Sequence, residues 1–426
     1  MDAKFFKLLL LGGAVRFYFC RTPLAAMIGN RVEFATPLNS HKRMQEGIFL
    51  LQSGIDPYQG DLVHESPLIL SALSGLFQNY PQFLPVFYII LDVFTAALLY
   101  TMARRFVKQK EDQQNVERKE YAKDTEELQF SDLDKLDIPE LVIVAYLFNP
   151  LTVMSCIGMT STVISNLFLA FFLYCLVKGL LLPCLLVLAF ETVRSFYPIV
   201  LIAPLLLVFS RNSIRRGVVI SLLFIICCLA VAVANFFVLK SWNFLDGTLG
   251  FIFYFRDLQP NIGLFWYFFT EMFEHFRTMF LITFQLNATV LYLVPLSIKL
   301  RKEPLLLATV LVALMAVFRA YPSLGDVGFY LALLPLWKRC WKFMAHGFVV
   351  FTFFMVTLSM MGALWHLWIY AGSANANFYF GATLAFSTGQ IFLITDLLFA
   401  HVKREFCLFN GQKILIDGEE ARIVLK

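Results

Sequence analysis

Acidic side chains near the amino terminus are the first candidates for chemistry in this sequence. The run Asn30-Arg31-Val32-Glu33-Phe34 follows the first apolar segment and contains one carboxylate, Glu33. One carboxylate cannot easily provide both metal ligation and proton transfer. Asp56 and Asp61 lie in turn sequences, where Asp is favoured because its side chain bonds the local backbone. The pattern therefore does not predict a complete acid–base or metal-assisted site.

Histidine and cysteine spacings do not predict a metal site or a nucleophile either. The six histidines show no H-E-x-x-H motif and no pair four residues apart, and the eight cysteines contain no C-x-x-C pair. Zinc sites and disulfide frameworks generally show such spacings. G-x-S-x-G and Walker motifs are absent as well. We therefore predict no catalytic residue, no metal and no cofactor.

The stretch Pro260–Arg277 joins a dense run of aromatic residues to a charged turn. The rings belong to Phe265, Trp266, Tyr267, Phe268 and Phe269, and the charges to Glu271, Glu274, His275 and Arg277. Aromatic rings favour the boundary between lipid tails and head groups, whereas charges there need water or a partner. The stretch therefore predicts a slanted helix at a membrane surface, with rings against acyl chains. An ordinary aromatic belt is the alternative.

A second distinctive stretch is Leu364–Phe378. Trp365, Trp368 and Tyr370 are residues typical of a membrane boundary, and Ser373, Asn375 and Asn377 follow directly. Hydroxyl and amide groups offer neutral donors and acceptors of the kind that hold a sugar. The alternative is an interfacial belt followed by a capped turn.

Composition identifies the class of protein to which these stretches belong. Of 426 residues, 59% are hydrophobic and only 15% are charged, against roughly 45–50% and about 25% in soluble domains. The mean hydropathy is +0.70. The net charge of +5 comes from short basic clusters between apolar runs, which fits membrane topology and not nucleic-acid binding. We predict one multi-pass membrane domain over residues 1–426.

About twelve transmembrane helices are predicted in an all-α fold, since a spanning helix needs about 20 apolar residues. The proposed spans are Met1–Phe19, Pro81–Met102, Pro139–Gly158, Thr162–Gly179, two short helices within Leu180–Ser210, Gly217–Leu239, His275–Ile298, Pro304–Phe318, Gly325–Trp337, Phe343–Trp368 and Gly381–Val402. The chain between the two short helices is expected to turn near Glu191 and Arg194. Those two side chains can pair because they are three residues apart on a helix.

The distribution of basic residues predicts the orientation of these spans. With Lys4 and Lys7 in the cytosol, twelve spans place nearly every basic cluster on the cytosolic side, as the positive-inside rule requires. Residues 20–80 and the amphipathic aromatic segment 240–275 are then lumenal. The charged loop 103–138, the tail 403–426 and both termini are cytosolic.

Four polar residues in or beside the spans should avoid lipid. Asp92 and Asp396 would be costly against acyl chains, so we expect both to face the protein interior. Arg319 and Asp326 flank a short turn and could pair across it.

Both distinctive stretches, together with shorter motifs, closely resemble subunit U of the glycosylphosphatidylinositol (GPI) transamidase, the PIG-U family. The matching motifs are Asn261-Ile-Gly-Leu-Phe-Trp-Tyr-Phe-Phe269, Leu364-Trp-His-Leu-Trp-Ile-Tyr-Ala-Gly-Ser-Ala-Asn375, Gly54-x-x-Pro57-Tyr58, Tyr321-Pro-x-x-Gly-Asp326 and Val424-Leu-Lys426. The resemblance covers essentially the whole chain. It implies a non-catalytic subunit in the endoplasmic reticulum membrane, beside other subunits that include a cysteine-protease-like catalytic one. It also implies a fold like the GT-C glycosyltransferases with the sugar-transfer acids lost.

The resemblance further implies help in recognising the GPI lipid or the C-terminal attachment signal, in contact with membrane phospholipids. The candidate GPI-binding residues are Asn261, Phe265, Trp266, Phe269, Phe273, His275, Arg277, Asn375 and Asn377. In this hypothesis the rings contact acyl tails, the two cations lie near the phosphoinositol, and the amides contact the glycan. Two alternatives stay open. One is a dolichol-phosphate-sugar-dependent mannosyltransferase, and the other is a structural subunit whose aromatic runs are protein interfaces.

Overall fold

Helices form almost all of the regular structure in the computed structural model, which describes residues 3–211, 213–412, 415–416 and 419–420. The first ten are α1 (Ala3–Cys20), α2 (Pro23–Ile28), α3 (His41–Gln52), α4 (Pro67–Asn79), α5 (Leu84–Glu117), α6 (Asp134–Leu147), α7 (Pro150–Ile157), α8 (Thr162–Lys178), α9 (Leu181–Ser195) and α10 (Ile202–Phe209). The others are α11 (Ile214–Leu239), α12 (Asn243–Leu245), α13 (Phe251–Tyr254), α14 (Phe265–Glu271), α15 (Arg277–Leu286), α16 (Leu293–Lys299), α17 (Pro304–Phe318), α18 (Leu324–Leu331), α19 (Gly347–Trp365) and α20 (Ala376–Asn410).

Short helical turns and one small ladder complete the secondary structure. Single π-helical turns at Asp246–Gly250, Asn287–Leu291 and His366–Tyr370 continue neighbouring helices. Leu415–Ile416 (β1) pairs antiparallel with Glu419–Glu420 (β2). The closing motif Val424–Lys426 and part of the predicted tail 403–426 lie outside the described residues.

Five helical stretches among the described residues are long and apolar enough to cross a membrane. They are Pro81–Glu120, Ile214–Leu239, Glu274–Lys299, Gly347–Tyr370 and Ala376–Asn410. Helices α6 and α7 add a sixth if this pair, bent by 46°, is one span. Thr162–Lys178, Tyr197–Phe209 and Pro304–Phe318 are shorter apolar helices. An all-α protein with several apolar helices is therefore confirmed, whereas the number of about twelve spans stays a prediction.

The apolar helices differ in how much of their surface other helices cover. In the most apolar part of Pro81–Glu120, 50% of the residues are buried, and in that of Ala376–Asn410 56% are buried. The buried share is only 11% in Ile214–Leu239 and in Glu274–Lys299. The first two form the centre of the bundle, where α5 packs on α6 and α8 and α20 packs on α19. The other two leave long apolar faces open, and surfaces of this kind contact lipid or other proteins.

Polar residues predicted to avoid lipid do lie inside the protein. Asp92 is 1% exposed and accepts hydrogen bonds from Arg16 and from the Tyr146 hydroxyl. Asp396 accepts the backbone N–H groups of Ala345 and His346 just before α19 begins. Each carboxylate is satisfied by donors from a neighbouring element, which is what a buried acid requires.

The stretch Leu180–Ser210 folds as two helices with the predicted turn. Helix α9 ends at Ser195, one residue beyond Arg194, and Phe196 adopts a φ of 61° before the chain continues into α10. A positive φ is rare for a bulky residue, and here the Phe196 ring packs 4.4 Å from that of Phe253. Arg194 and Glu191 pair as expected, with Nη1 and Oε1 3.0 Å apart.

The charged segment 103–138 begins as the end of helix α5 and then packs on other parts of the protein. Helix α5 continues past Met102 to Glu117, because the sequence after the apolar part still favours a helix. The following residues dock on the end of α20, where Ala122 N–H donates to Leu408 and Arg404 donates to the Leu128 carbonyl. Leu128 is 1% exposed and packs with Cys407 and Leu408. Buried apolar contacts and charged hydrogen bonds thus hold this segment.

Asp134→Asn should loosen this docked segment. Asp134 is 1% exposed and accepts from Arg339 Nε at 2.7 Å and from Ser131 N–H at 2.9 Å. Losing the charge weakens hydrogen bonds that are each worth about 1.5–3 kcal/mol when one partner is ionised, so local opening should rise about tenfold. Tryptic cleavage after Lys119 and Lys123 measures that opening. Asp132→Asn is the control, since the exposed Asp132 carboxylate pairs with Lys135 and with no other described side chain. Equal cleavage of both variants would show that Asp134 does not hold the segment.

Candidate lipid-binding site

The two distinctive sequence stretches meet in one aromatic cluster, formed by Trp266, Tyr267, Trp365, Trp368, Tyr379 and Phe380. Trp266 on α14 stacks on Trp368 with 6.2 Å between centroids, and Tyr267 stacks on Phe380 at 4.4 Å. Tyr379 lies 5.3 Å from Trp365. Helix α14 therefore packs against the π-helical turn after α19 and the first turn of α20. Sequence reasoning found both stretches but did not predict that they touch.

Behind this cluster, Phe265 and Phe269 belong to the protein interior. Phe265 is 2% and Phe269 3% exposed, and their rings contact Phe255 and Phe284 at centroid distances of 5.0 to 5.7 Å. Trp266 is 2% exposed. Phe273, in contrast, is 79% exposed. Most of the rings that we expected to contact acyl chains are therefore buried and pack against other side chains.

Two apolar grooves border the aromatic cluster. The α15 groove has a volume of about 380 Å³ and is lined by Leu264, Phe265, Phe284, Leu291 and Phe318. The α19–α20 groove has a volume of about 470 Å³ and is lined by Phe353, Val356, Met360, Leu364, Asn377 and Phe378. Apolar clefts of this size are typical of sites for small hydrophobic ligands. The second groove was not predicted, because its lining comes from two helices whose individual sequences are ordinary apolar spans.

The amide candidates differ in what they can reach. Asn261 is fully buried; its Oδ1 accepts the Gly263 N–H at 2.7 Å and its Nδ2 donates to Gln259, so it shapes its own loop. Asn375 is exposed and caps α20 by accepting the Asn377 N–H. Asn377 is exposed, accepts from the Tyr267 hydroxyl and lines the α19–α20 groove. Asn377 is therefore the amide candidate that borders a groove.

The two basic candidates, His275 and Arg277, lie at the start of α15, about two turns before the residues of that helix that line the α15 groove. His275 is exposed on a short turn. Arg277 donates to the Phe255 carbonyl at 2.9 Å and lies 5.5 Å above the Phe269 ring. No described carboxylate pairs with Arg277, so its charge stays available to an anion.

A polar cavity of about 30 Å³ lies apart from these grooves. Arg194 fills much of its wall; its Nη2 donates to Glu65 Oε2 at 2.8 Å, and it also contacts Glu191, Ser161 and Ser165. Arg319 pairs with Asp326 across the turn at 2.9 Å, as the sequence predicted. A space of this size holds about one water molecule. Charged groups that satisfy one another in so small a space support the fold and leave no room for a sugar or a peptide.

His64 also lines this cavity and is held neutral. Its Nδ1 lies 2.8 Å from the Gly247 carbonyl, so that nitrogen carries the proton, and its ring stacks on Phe251. Burial lowers the pKa of His64 from 6.5 to about 4, and the neighbouring Arg43 charge adds to this effect. At neutral pH the ring therefore supplies hydrogen bonds and packing and no charge.

Glu33, the isolated acid of the sequence, is committed to an ion pair. It is 4% exposed; Arg31 donates to both carboxylate oxygens, at 2.9 and 2.6 Å, and the Tyr379 hydroxyl donates at 3.1 Å. All three donors are protein groups, so this carboxylate is engaged within the fold. Among the described residues, no group of three or more His, Cys, Asp or Glu side chains could hold a metal ion.

Comparison with known proteins identifies the family. Residues 10–386 match the family described as GPI transamidase subunit PIG-U. The GPI-anchor transamidase component PIGU of Homo sapiens is 38% identical over 445 residues, with 100% of both chains covered, and that of Cricetulus griseus is 38% identical over 440 residues with the same coverage. The GPI transamidase component GAB1 of Saccharomyces cerevisiae is 28% identical, with 90% of both chains covered. These matches do not support the alternative of a dolichol-dependent mannosyltransferase. With the family matched across nearly the whole chain and relatives aligned from end to end, this protein belongs to the family of GPI transamidase subunit PIG-U.

Proposed function

We propose that this chain is a non-catalytic subunit of the GPI transamidase complex in the endoplasmic reticulum membrane, and that it binds the GPI lipid and presents it to a catalytic subunit. The observation that carries the proposal is the pair of apolar grooves beside one aromatic cluster, each with one amide side chain in its lining, Asn287 in the first and Asn377 in the second. Acyl tails fit the grooves, and head groups fit the exposed Asn375, Asn377, His275 and Arg277. The relatives named as transamidase components support the assignment to that complex.

Phe265, Trp266, Phe269 and Asn261 act indirectly in this proposal. Because they are buried, they hold α14 and its loop in the shape that leaves the grooves open. Phe273, 79% exposed, contacts lipid directly. This division of roles explains why the aromatic stretch is long although few of its rings reach the surface.

The attachment signal is a second candidate occupant. Such a signal ends in a hydrophobic tail of about 10–20 residues, which would also suit an apolar groove. An amide in the lining of each groove, Asn287 or Asn377, favours the lipid, because a lipid has apolar tails joined directly to a polar head.

The proposed arrangement in the membrane keeps about twelve spans, a GT-C-like order of helices and both termini in the cytosol. Hydrogen bonds and ion pairs join segment 110–137 to Glu303 just before α17, to the end of α20 and to Lys338–Lys342, as expected for one polar face. A second set of hydrogen bonds and ion pairs joins residues 31–66 to residues 161–165, 194, 243–259 and 324–379. These contacts are expected for the polar face on the opposite side of the membrane. Basic clusters gather on the first face, which supports placing it in the cytosol.

Gly381→Leu should reduce GPI capture by filling the α19–α20 groove. Gly381 lines the groove, and a Cβ there would meet no atom within 4 Å, so the helix tolerates the side chain. If the leucine displaces two methylenes of an acyl chain, at roughly 0.8 kcal/mol each, binding weakens about tenfold. Photocrosslinking of a diazirine-bearing GPI analogue to the assembled complex measures the loss.

Gly362→Leu is the matched control. Gly362 is an exposed glycine of α19 with the same free space, and it does not line the groove. Crosslinking should therefore stay at the wild-type level in this variant. Equal crosslinking of wild type and Gly381→Leu would refute lipid binding in this groove, and crosslinking of a signal peptide in place of GPI would identify the other occupant.

A further inference from the structure

We infer that the outer face of α11 binds an anionic phospholipid, with the lipid phosphate at Arg215 and an acyl chain along the helix. Neither apolar groove is lined by α11, so this site is separate from the proposed GPI site and goes beyond the proposed function. The inference rests on the alignment of Arg215 with an apolar stripe, on the charges around it and on the kinds of side chain that the two faces of α11 carry.

An exposed apolar stripe runs along α11 in line with Arg215. Residues three and four positions apart lie on one face of a helix. By this spacing Arg215 begins a row of exposed side chains that continues with Val219, Leu222, Ile226, Leu229, Val233 and Phe237, each 41–71% exposed. The row from Val219 to Phe237 is about 27 Å long at 1.5 Å per residue, close to the roughly 30 Å thickness of the hydrocarbon core. Arg215, one turn before Val219, therefore lies at the depth of lipid phosphates.

Contacts at the far end of α11 establish how it is oriented relative to α9. Asn235, near that end, accepts from the Ser66 hydroxyl at 2.7 Å. The neighbouring Glu65 accepts from Arg194, in the last turn of α9, at 2.8 Å. Helices α9 and α11 pack on each other and end at the same polar face, so both begin at the opposite face.

The face at which α9 and α11 begin also carries segment 110–137. Gln109 Nε2, at the start of that segment, donates to the Val177 carbonyl at 2.8 Å. The exposed Lys178 follows, just before α9. In the proposed membrane arrangement this face is cytosolic, and the cytosolic leaflet carries anionic lipids.

The cations at the start of α11 have no carboxylate partner among the described residues. Arg211, Arg215 and Arg216 are exposed, and the sequence contains no Asp or Glu between Glu191 and Asp246. The amino-terminal end of a helix is also the positive end of its dipole. Basic residues elsewhere on this face do have partners, in the pairs Lys110–Glu303, Arg339–Asp134 and Lys342–Glu127. The start of α11 therefore attracts an anion that the described chain does not supply.

The side chains on the two faces of α11 favour a lipid over a protein helix as the occupant. Small residues let membrane helices approach closely, so they concentrate where two helices pack. On α11 the small residues Gly217, Ser221, Cys228 and Ala232 form a row on the side opposite the apolar stripe. Cys228 and Ala232 pack against the hydrophobic core. The outer stripe contains only Val, Leu, Ile and Phe, whose large apolar side chains suit acyl chains.

The test compares two photoactivatable phospholipids that differ only in the head group. The intact complex, in nanodiscs of phosphatidylcholine and phosphatidylserine, is labelled with either anionic phosphatidylserine or zwitterionic phosphatidylcholine carrying the same acyl chains. Mass spectrometry quantifies the label on residues 219–229. Wild type should take up more phosphatidylserine than phosphatidylcholine. In Arg215→Gln we expect phosphatidylserine labelling to fall about fivefold, the scale of one basic residue near an anionic surface, and phosphatidylcholine labelling to stay unchanged.

Two further variants separate the charge of Arg215 from other effects. Arg215→Lys keeps the charge and should label as wild type. Lys240→Gln removes an exposed cation at the other end of the same helix and should also label as wild type. Equal labelling of wild type by the two lipids would overturn the inference, as would an unchanged signal in Arg215→Gln or the same fall in Lys240→Gln. A photoreactive residue at Leu222 that crosslinks to another subunit in place of lipid would overturn it as well. None of these outcomes bears on the GPI grooves.

Discussion

Replacing Arg194 by Met should leave little folded protein. Arg194 is 7% exposed and bonds with Glu65 just before α4, with Glu191 on its own helix, and with Ser161 and Ser165 at the start of α8. Removing it leaves two buried carboxylates without their cation. Breaking one buried ion pair costs about 3–5 kcal/mol, a large share of the roughly 5–15 kcal/mol that holds a domain folded.

The order of the neighbouring variants tests this explanation. Glu191→Gln leaves the Arg194–Glu65 pair intact and should be the mildest change. Glu65→Gln removes the two-bond partner and should lie between Glu191→Gln and Arg194→Met. The amount of monodisperse protein on fluorescence size-exclusion chromatography and its midpoint of thermal unfolding give the order. If Arg194→Met matched wild type in both measurements, Arg194 would not hold these elements together.

The same variants bear on whether the polar cavity is a reaction site. Clusters of buried charges occur at active sites and in structural networks alike. Here each carboxylate of the cluster faces a guanidinium, and the remaining space is about 30 Å³. Glu191→Gln, if it folds, should therefore also support normal GPI attachment in cells lacking the wild-type chain.

Local pairs and apolar segments were predictable from the sequence, because their physical cause lies within a few residues. Glu191 and Arg194 share one helix face, and Arg319 and Asp326 flank one short turn. Asp92 and Asp396 had to be buried because lipid excludes charge. The aromatic and amide-rich stretches were recognised for the same reason, since their composition alone indicates a membrane boundary.

Contacts between distant segments were not predictable. Glu65 and Arg194 are 129 positions apart, and Tyr379 and Glu33 are 346 apart. Nothing in either local sequence indicates the partner. The burial of Phe265 and Phe269 was missed for a related reason. The sequence of an aromatic run does not distinguish rings that face lipid from rings that pack on Phe255 and Phe284.

Arg16→Met should be the second strongly destabilising change. It offers a cleaner test, because a second substitution can remove the carboxylate charge that the first one leaves unpaired. Arg16 is fully buried in α1 and pairs with Asp92 on α5, which also accepts from Tyr146 at 2.6 Å. Arg16 Nη1 donates to the Leu147 carbonyl at 2.7 Å, and Leu147 is the last residue of α6. One side chain therefore joins three helices and caps the end of one of them.

The double variant Arg16→Met with Asp92→Asn should regain most of the stability that Arg16→Met loses. The single change leaves a buried carboxylate without its cation, at a cost of about 3–5 kcal/mol. Asparagine removes that charge and still accepts from the Tyr146 hydroxyl. The Leu147 carbonyl stays without its donor, so a deficit of about 1–3 kcal/mol should remain. Unfolding midpoints of wild type, both single variants and the double variant give the coupling between the two sites. If the two losses simply add in the double variant, the charge pair does not couple α1 to α5, and α1 is held by its apolar contacts alone.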